Sequence, residues 1–297
     1  MTPLPLSLDA PAIPVPAKAG VGLKFEHIRQ VIEERPQMGW FEVHAENFFA
    51  IGGQPFELLQ DIAETYPVSI HGTGLSLGSA DGLNPDHLDR LANLNNHINA
   101  GLLSEHLAWC CTDASHFSDL LPLPYTAEAL AIVGDHVAQV QDRLGRQILV
   151  ENPSLYIDFA ASEMRETDFL NALGERTGCG FILDVNNVHV SANNLGFDAA
   201  AYIRALDCAK VGEIHLAGHH RRKTERGILL IDDHGGKVSD PVWSLCETAL
   251  ELTGPLPVLI EWDNAIPAFE VLSEEAARAD AMLDRLFNKE AHHVRAA

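Results

Sequence analysis

The sequence predicts an α/β protein of the (β/α)₈ barrel class. Short runs rich in β-branched and aromatic residues alternate with longer segments that have helical spacing. Eight such units follow one another without a linker or a change of composition, in a chain of 297 residues that is 46% hydrophobic. Strands that alternate with helices form parallel sheets through right-handed crossovers, and eight repeats favour a closed barrel over an open sheet.

The period of each segment places the individual elements. The predicted strands are Val21–Phe25, Trp40–His44, Val68–His71, Leu102–Leu107, Gln147–Glu151, Gly180–Val185, Val211–Leu216 and Val258–Trp262. The predicted helices between them include Pro55–Tyr66, Pro85–Asn99, Ala127–Leu144, Glu166–Arg176, Asp198–Leu206, Pro241–Leu252 and Ala268–Phe287. We therefore expect a barrel domain over residues 20–288, preceded by a flexible arm at 1–19 and followed by a tail at 289–297.

Helix boundaries carry recognisable start and stop signals. Asn84 and Asp240 each precede a proline, which predicts a capping side chain followed by proline at the first helical position. Gly145, Gly178 and Gly254 are expected to end helices, because glycine adopts the left-handed conformation of a C-cap without strain.

Composition excludes several classes of protein. The formal charge of −22 disfavours nucleic acid as a partner, because phosphates are repelled unless bound cations intervene. The five cysteines form no C-x-x-C pair, which predicts free thiols in a reducing compartment. Residues 1–18 lack the basic start and apolar run of a signal peptide, and no window approaches the roughly 20 apolar residues of a membrane span. We expect a soluble, cytoplasmic protein.

Polar side chains stand where buried barrel strands should end in aliphatic residues. The candidates are His44 and Glu46 on strand two, His71 on strand three, Glu105 and His106 on strand four, Glu151 on strand five, Asp184, Asn187 and His189 at strand six, His215 on strand seven with Asp232 and His234 in its following loop, and Glu261 on strand eight. The carboxyl ends of barrel strands converge on one mouth, where active sites lie. Carboxylates crowded there would repel one another unless cations neutralise them, so the pattern predicts a metal site with mixed nitrogen and oxygen ligands, which suits iron, manganese or zinc.

Individual assignments remain open at several positions. His106 and His189 are either structural histidines or residues that orient ligands. Glu46 competes with His44 for one ligand position, because residues two apart on a strand share a face. Glu42 and Glu213 are either polar core groups or carboxylates behind the ligands.

Two further segments lie on the side of the mouth. The basic run His219-His-Arg-Arg-Lys223 follows strand seven. A solvated loop is favoured for it, and a lid or a contact for an acidic partner is the alternative. The glycine-rich segment Gly72–Gly78 lacks a dinucleotide fingerprint and is interpreted as a loop that lines the site.

Long motifs give the chain a family resemblance. They include Gly39-Trp-Phe-Glu-Val-His-Ala-Glu-Asn47, Ser104-Glu-His-Leu-Ala-Trp109, Val150-Glu-Asn-Pro-Ser154, Leu183-Asp-Val-Asn-Asn-Val188, Glu213-Ile-His-Leu-Ala-Gly218, Ile231-Asp-Asp-His-Gly235 and Leu259-Ile-Glu-Trp-Asp263. Across about residues 20–285 the chain resembles the multinuclear non-haem iron-dependent oxidases, the family that contains the methanobactin-biosynthesis oxidase.

The resemblance implies fold, cofactor and substrate. It implies a xylose isomerase-like TIM barrel that holds two or three iron ions and uses dioxygen to oxidise cysteines of a ribosomally made precursor peptide. It also implies a small partner protein that presents the peptide. The positions that match the family's metal ligands are His44, His71, Glu105, Glu151, Asp184, Asn187, His215, Asp232, His234 and Glu261. Among these, Asp184, His215 and Asp232 are expected to be catalytic.

Two other classes of function fit parts of the pattern. A hydrolytic or isomerising barrel of the endonuclease IV or xylose isomerase type also places His, Glu and Asp at its strand ends. The acidic charge opposes DNA as its substrate but leaves a sugar open. A non-catalytic metal-binding protein of a copper-handling pathway is the other alternative. Metal analysis and oxygen uptake with a cysteine peptide distinguish the three.

Overall fold

The computed structural model describes residues 13–112, 115–225 and 227–288. Its strands, in chain order, are β1 (Ala19–Gly22), β2 (Phe41–His44), β3 (Val68–Gly72), β4 (Leu102–His106), β5 (Trp109–Thr112), β6 (Ser115–Leu121), β7 (Leu149–Glu151), β8 (Gly180–Asp184), β9 (Val211–Ala217), β10 (His220–Thr224), β11 (Gly227–Ile231) and β12 (Val258–Glu261). β1, β2, β3, β4, β7, β8, β9 and β12 are parallel and close a barrel, because β12 pairs with β1. The predicted fold class is confirmed.

Helices connect the barrel strands and cover their outer face. They are α1 (Phe25–Glu34), α2 (Gln54–Ala63), α3 (Pro85–Ile98), α4 (Ala127–Leu144), α5 (Glu166–Thr177), α6 (Val185–Leu195), α7 (Ala199–Ala205), α8 (Asp240–Thr253) and α9 (Phe269–Phe287), with 3₁₀ turns at Ala45–Phe48 and Cys208–Lys210. Aliphatic and aromatic side chains from both layers form one buried core. No helix of the described part of the chain is long and apolar enough to cross a membrane.

The barrel register brings the polar strand ends to one level. In neighbouring parallel strands His44 lies opposite His71, His106 opposite Glu151, and Asp184 opposite His215. Parallel strands end at the same face of a barrel, so these side chains meet at one mouth although they are far apart in sequence.

Four features depart from the predicted elements. α1 was not among the predicted helices, because its N-cap Lys24 makes no side-chain hydrogen bond and so lacks a start signal. α6 begins directly at the end of β8, and the polar residues that we interpreted as a strand end are its first turn. Two antiparallel hairpins, β5–β6 and β10–β11, were also missed, because β6 and β10 are exposed along their length and show no alternation of apolar and polar residues.

Most of the predicted helix caps are confirmed, and one is wrong. Asn84 caps α3 by accepting hydrogen bonds from two backbone N–H groups, and Gly145 and Gly178 end their helices with left-handed conformations, as predicted. Gly254 also ends α8. The prediction for Asp240 is wrong: Ser239 is the N-cap position, and the Asp240 carboxylate instead accepts a hydrogen bond from Arg278.

The termini and the cysteines complete the description. Of the arm predicted at 1–19, residues 1–12 lie outside the described residues, and β1 already begins at Ala19. The tail predicted at 289–297 also lies outside them. All five cysteines are free, as their spacing predicted.

Candidate metal centre

Among the described residues, four groups of potential ligands lie at the mouth of the barrel, each with ligand atoms within 4.8 Å of one another. They are His71, His106 and Glu151; Glu151, Asp184, His215 and Glu261; Glu42, Glu213 and His215; and His44, Glu261 and Asp263. Glu151, His215 and Glu261 each belong to two groups. The groups therefore form one connected cluster, in which shared carboxylates join neighbouring sites.

The group around His71 has its free nitrogens aimed at one point. The Ser104 hydroxyl donates to the Ile70 carbonyl, so it accepts the Nδ1–H of His71 at 2.7 Å. His106 donates its Nδ1–H to the Gly72 carbonyl at 3.1 Å, since a carbonyl can only accept. When both rings are neutral, the two Nε2 atoms therefore present lone pairs to each other at 3.3 Å.

A carboxylate completes this arrangement. Glu151 Oε2 lies 3.0 Å from His71 Nε2 and 3.3 Å from His106 Nε2, yet it has no partner of hydrogen-bond geometry among the described residues. Three lone-pair donors that face a common point repel one another, and a cation between them removes the repulsion. The donor set therefore fits a metal ion.

The second group has a similar arrangement around His215, with one ring nitrogen beside a carboxylate and the other unpartnered. Its Nε2 lies 3.2 Å from Glu213 Oε1, which leaves Nδ1 3.7 Å from Glu151 and 3.6 Å from Glu261 with no hydrogen-bond partner among the described residues. Asp184 caps α6 through Oδ1, and its Oδ2 is likewise buried and unpartnered. Burial, and then the charge of Glu151, raises the pKa of Asp184 well above its usual range.

An outer part of the cluster lies in the loop after β11. His234 contacts Asp263 Oδ2 through Nδ1 at 2.9 Å, while its Nε2 lies 2.8 Å from Asp232 Oδ1 without hydrogen-bond geometry. Asn186 donates to the same Asp232 oxygen at 2.7 Å. His44 Nε2 lies 3.6 Å from Glu261 and 3.9 Å from Asp263, the two carboxylates that His234 also contacts.

Charges in this cluster are strongly coupled. Burial raises the pKa of Glu151, but the charges of His106, His215 and His71 outweigh burial and lower it to about 2. Burial lowers the pKa of His71, but Glu42 and Glu151 raise it to about 10. The buried carboxylates are therefore stabilised by nearby positive charge. Without a metal ion, that charge comes from protons on the neighbouring imidazoles, whose rings lie in van der Waals contact.

Glu42 and Glu213 lie on the inner side of His215. Glu42 accepts a hydrogen bond from Ser69 at 3.0 Å, and burial followed by the charge of Glu213 raises its pKa to about 7. Both carboxylates thus contact the back of a proposed ligand, which matches the alternative of carboxylates behind the ligands.

Four proposed ligands lie outside the four groups: Asp232 and His234 in the loop after β11, and Glu105 and Asn187. Glu105 turns to the backbone, where it accepts hydrogen bonds from the N–H groups of His106 and Leu75 and lies close to Gly72. Asn187 donates to the Asn152 carbonyl at 2.9 Å, while its own Oδ1 is buried and unpartnered in the described structure.

Glu46 and His189, whose roles the sequence left open, lie outside the four groups. Glu46 accepts hydrogen bonds from the backbone of Thr73 and Gly74 and lies 3.1 Å from His87, beside a cavity of about 1100 Å³ that Cys110 also lines. It is thus held by protein groups, away from the four ligand groups. His189 packs against His219 with tilted rings whose centroids lie 5.0 Å apart.

Sequence reasoning underrated two residues of the cluster. His106 belongs to the first group and Asp263 to the fourth, where Asp263 also forms an ion pair with Lys24. A signal for Asp263 was available, because it follows Glu261 by two residues and residues two apart in an extended segment share a face. Nothing in the sequence separates His106 from an ordinary structural histidine.

Comparison with protein families gives one match over most of the chain. The family model described as "RiPP precursor modification enzyme MbnB/TglH/ChrH" matches residues 18–284. A UPF0276 protein of Rhizobium meliloti (strain 1021) is 46% identical over 290 residues, which cover 96% of this chain and 94% of the relative. A UPF0276 protein of Paraburkholderia phytofirmans is 47% identical over 264 residues, 89% of this chain and 86% of the relative.

Solved structures of low sequence identity share the fold. A xylose isomerase domain containing protein from Salmonella typhimurium superposes with a TM-score of 0.58 at 14% identity, covering 92% of this chain and 99% of that one. D-psicose 3-epimerase, solved in the presence of D-fructose, superposes with a TM-score of 0.56 at 14% identity, covering 90% and 98%. These likenesses show a xylose isomerase-like TIM barrel.

Proposed function

Because this chain belongs to the family of RiPP precursor modification enzymes MbnB/TglH/ChrH, we propose that it is a multinuclear iron-dependent oxidase that uses dioxygen to modify cysteine residues of a ribosomally made precursor peptide. The observation that carries the proposal is the sharing of Glu151 and Glu261 between neighbouring ligand groups. A carboxylate that serves two groups at once can bridge two metal ions. Bridged ions, rather than one isolated ion, are what a multinuclear oxidase requires.

The residues present fit such a cluster. We propose that His71, His106 and Glu151 hold one iron, that Glu151, Asp184, His215 and Glu261 hold a second, and that His44, Glu261 and Asp263 hold an outer ion, beside which Asp232 and His234 supply further donors. Glu105 and Asn187 stay in the proposed set. The charge of His71 acts on the Glu105 carboxyl, and the Asn187 amide contacts Glu151 at 3.4 Å. Mixed imidazole and carboxylate donors without thiolate suit iron, manganese or zinc, and the family resemblance favours iron among them.

Iron, when bound, supplies open coordination positions for a thiolate and for dioxygen and the capacity to transfer electrons. The protein's own residues prepare the ligands for this. The Ser104 hydroxyl, the Gly72 carbonyl and Glu213 each engage one nitrogen of a histidine, so the rings are oriented in advance and the other nitrogen is the one that would give up its proton to a bound ion.

Catalytic roles are proposed for Asp184, His215 and Asp232. The Oδ2 of Asp184 and the Nδ1 of His215 have no hydrogen-bond partner among the described residues, which leaves them free to act on a bound group. Asp232 lies in the loop above the barrel, where its backbone N–H donates to the Tyr156 hydroxyl at 2.8 Å.

The test measures iron and turnover together. In His71→Ala and Asp184→Ala, iron content and oxygen-dependent mass change of a co-expressed precursor peptide should both be lost. His97→Ala is the matched control, because His97 is an exposed histidine on α3 that contacts the backbone of its own helix and the Phe56 ring and belongs to none of the four ligand groups. Full iron and full activity in either site variant would refute the ligand assignment.

The metal and the oxygen uptake separate the proposal from its rival. Two or three iron ions, with oxygen consumed when a cysteine peptide is added, support the oxidase. Zinc or magnesium with no oxygen consumption would instead support an isomerase or hydrolase on the same fold. We also propose that a small partner protein presents the peptide; co-purification from the native operon tests this.

A further inference from the structure

The residues just before and just after the β10–β11 hairpin both contact the metal centre. His219, which precedes β10, contacts the Asn186 side chain through Nδ1 at 2.8 Å, and Asn186 donates to Asp232 at 2.7 Å. Asp232 itself follows β11 directly. A molecule bound along this hairpin would therefore lead into the mouth of the barrel.

One edge of the hairpin is already paired by α6. The Leu230 N–H donates to Asn194 Oδ1, and the Leu230 carbonyl accepts from Asn194 Nδ2, each at 3.0 Å. The Ile228 carbonyl accepts from Asn193 Nδ2 at 2.9 Å. The backbone groups of Leu230 and Ile228 thus point away from β10.

The register then determines which backbone groups β10 presents outward. Leu230 lies opposite Arg221, and Ile228 lies opposite Lys223. In an antiparallel pair, the backbone N–H and C=O groups of two directly opposite residues either face each other or both face away from the partner strand. The N–H and carbonyl groups of Arg221 and Lys223 therefore face away from β11, and no described residue pairs with them.

The same strand is the most basic segment of an acidic chain. Arg221, Arg222 and Lys223 are consecutive in a chain of net charge −22, and all five residues of β10 are exposed. An open strand edge is a template for another strand, and proteins normally protect such edges. Here the unpaired backbone groups and two positive side chains belong to the same two residues.

We propose that the outer edge of β10 binds an extended acidic segment of the precursor peptide, which adds a strand to the hairpin and so directs the peptide to the metal centre. This inference rests on the proposed function for the nature of the peptide. Strand addition supplies backbone hydrogen bonds as affinity, and acidic side chains opposite Arg221 and Lys223 supply selectivity.

Other occupants fit the edge less well. In a second copy of this chain, pairing β10 with β10 would bring basic side chains together, which opposes edge-to-edge pairing. A nucleic acid would meet the net charge of −22 around a strand of only five residues.

The first experiment uses a fluorescent probe peptide that alternates glutamate and valine, added to metal-free protein. Fluorescence anisotropy should show binding that weakens at high salt, whereas a lysine–valine peptide should not bind. In an antiparallel pairing, the glutamates opposite Arg221 and Lys223 also direct their amides at β10. N-methylation of one alternate set of amides should then abolish binding while methylation of the other set spares it. Equal affinity of the two methylated probes, or no binding of the unmethylated probe, would overturn the proposal.

The second experiment separates backbone pairing from charge. Lys223→Gln keeps the N–H and removes the charge, and it should weaken the probe about two- to fivefold. Lys223→Pro also removes the outward N–H, which is not part of the β10–β11 ladder, and should weaken the probe by at least about tenfold. Arg29→Gln, on the outer helix α1, makes the same charge change elsewhere and should have no effect. Equal loss in all three variants would reveal a nonspecific charge effect and refute strand addition.

These measurements are independent of turnover. Probe binding to metal-free protein with no activity towards any cysteine peptide would refute the oxidase and leave the docking edge standing. Peptide oxidation that is unaffected by Lys223→Pro, together with absent probe binding, would refute the docking edge alone.

Discussion

Two carboxylates of this protein, Glu151 and Glu166, are both buried but have opposite surroundings. Glu166 receives the Tyr202 hydroxyl at 2.5 Å, and burial raises its pKa to about 7 against the lowering effect of Tyr202 and Tyr125. Glu151 lies among imidazole nitrogens and carboxylates, and its Oε2 has no hydrogen-bond partner among the described residues.

This difference shows which surroundings of a buried carboxylate indicate a metal site. A carboxyl that can become neutral and find hydroxyl donors needs nothing from outside the protein. Glu151 is surrounded by groups that are themselves short of positive charge, so its environment becomes balanced only when cations enter. Burial of a charge is therefore a weaker signal than burial of a donor set with free lone pairs.

The strongest test of this comparison replaces each carboxylate with its amide. Glu151→Gln should lose iron from both groups that it joins and lower turnover at least about a thousandfold, equivalent to about 4 kcal/mol. Glu166→Gln is the matched control and should retain iron. Metal analysis and peptide oxidation measure both; iron retained in Glu151→Gln would contradict the bridging role.

Metal removal should destabilise the protein through the same cluster. An ion at 1,000 times its Kd stabilises the folded state by about 4 kcal/mol, so chelation should lower the melting temperature and added ferrous iron should restore it. Glu151→Gln should show little of this shift, whereas Glu166→Gln should show all of it. A shift of equal size in both variants would place the ion elsewhere.

Glu166 should affect how the stability of the protein depends on pH, and not how the protein binds metal. Its carboxyl has a raised pKa of about 7 in the folded state and an ordinary value of 4.5 when unfolded. The folded state therefore holds the proton more tightly, and stability falls as pH rises from 4.5 towards 7, by about 3 kcal/mol. Urea unfolding of metal-free protein at both ends of this window should show that Glu166→Gln loses this fall. An unchanged pH dependence in the variant would be inconsistent with a neutral buried carboxyl.

The smallest effect concerns the groups behind the ligands. Ser104→Ala removes the acceptor of His71 Nδ1–H and should weaken iron binding 10- to 100-fold, as is typical for such supporting residues. Ser191→Ala removes another buried hydroxyl, which accepts from the Leu155 backbone, and should leave iron affinity unchanged. Titration with a competing chelator distinguishes them; equal affinities would show that Ser104 does not set the tautomer.

Much of the fold followed from local pattern. The barrel strands lie within a few residues of their predicted positions, because each is a short β-rich run between helical segments and parallel strands must be buried on both faces. The two hairpins were not predicted, since strands exposed along their length have no periodic pattern. α6 was not predicted because it begins on Asp184 without an intervening loop.

The sequence alone determined that His, Glu and Asp side chains crowd one mouth, because strand ends can be located from periodicity and parallel strands end at one face. Only the tertiary structure decided which of their atoms are free. The tautomer of His71 depends on Ser104, 33 residues away, and His106 enters the centre while Glu105 turns to the backbone beside Gly72. Such choices arise from rotamers and hydrogen-bond partners on neighbouring strands, and these contacts exist only once the barrel has closed.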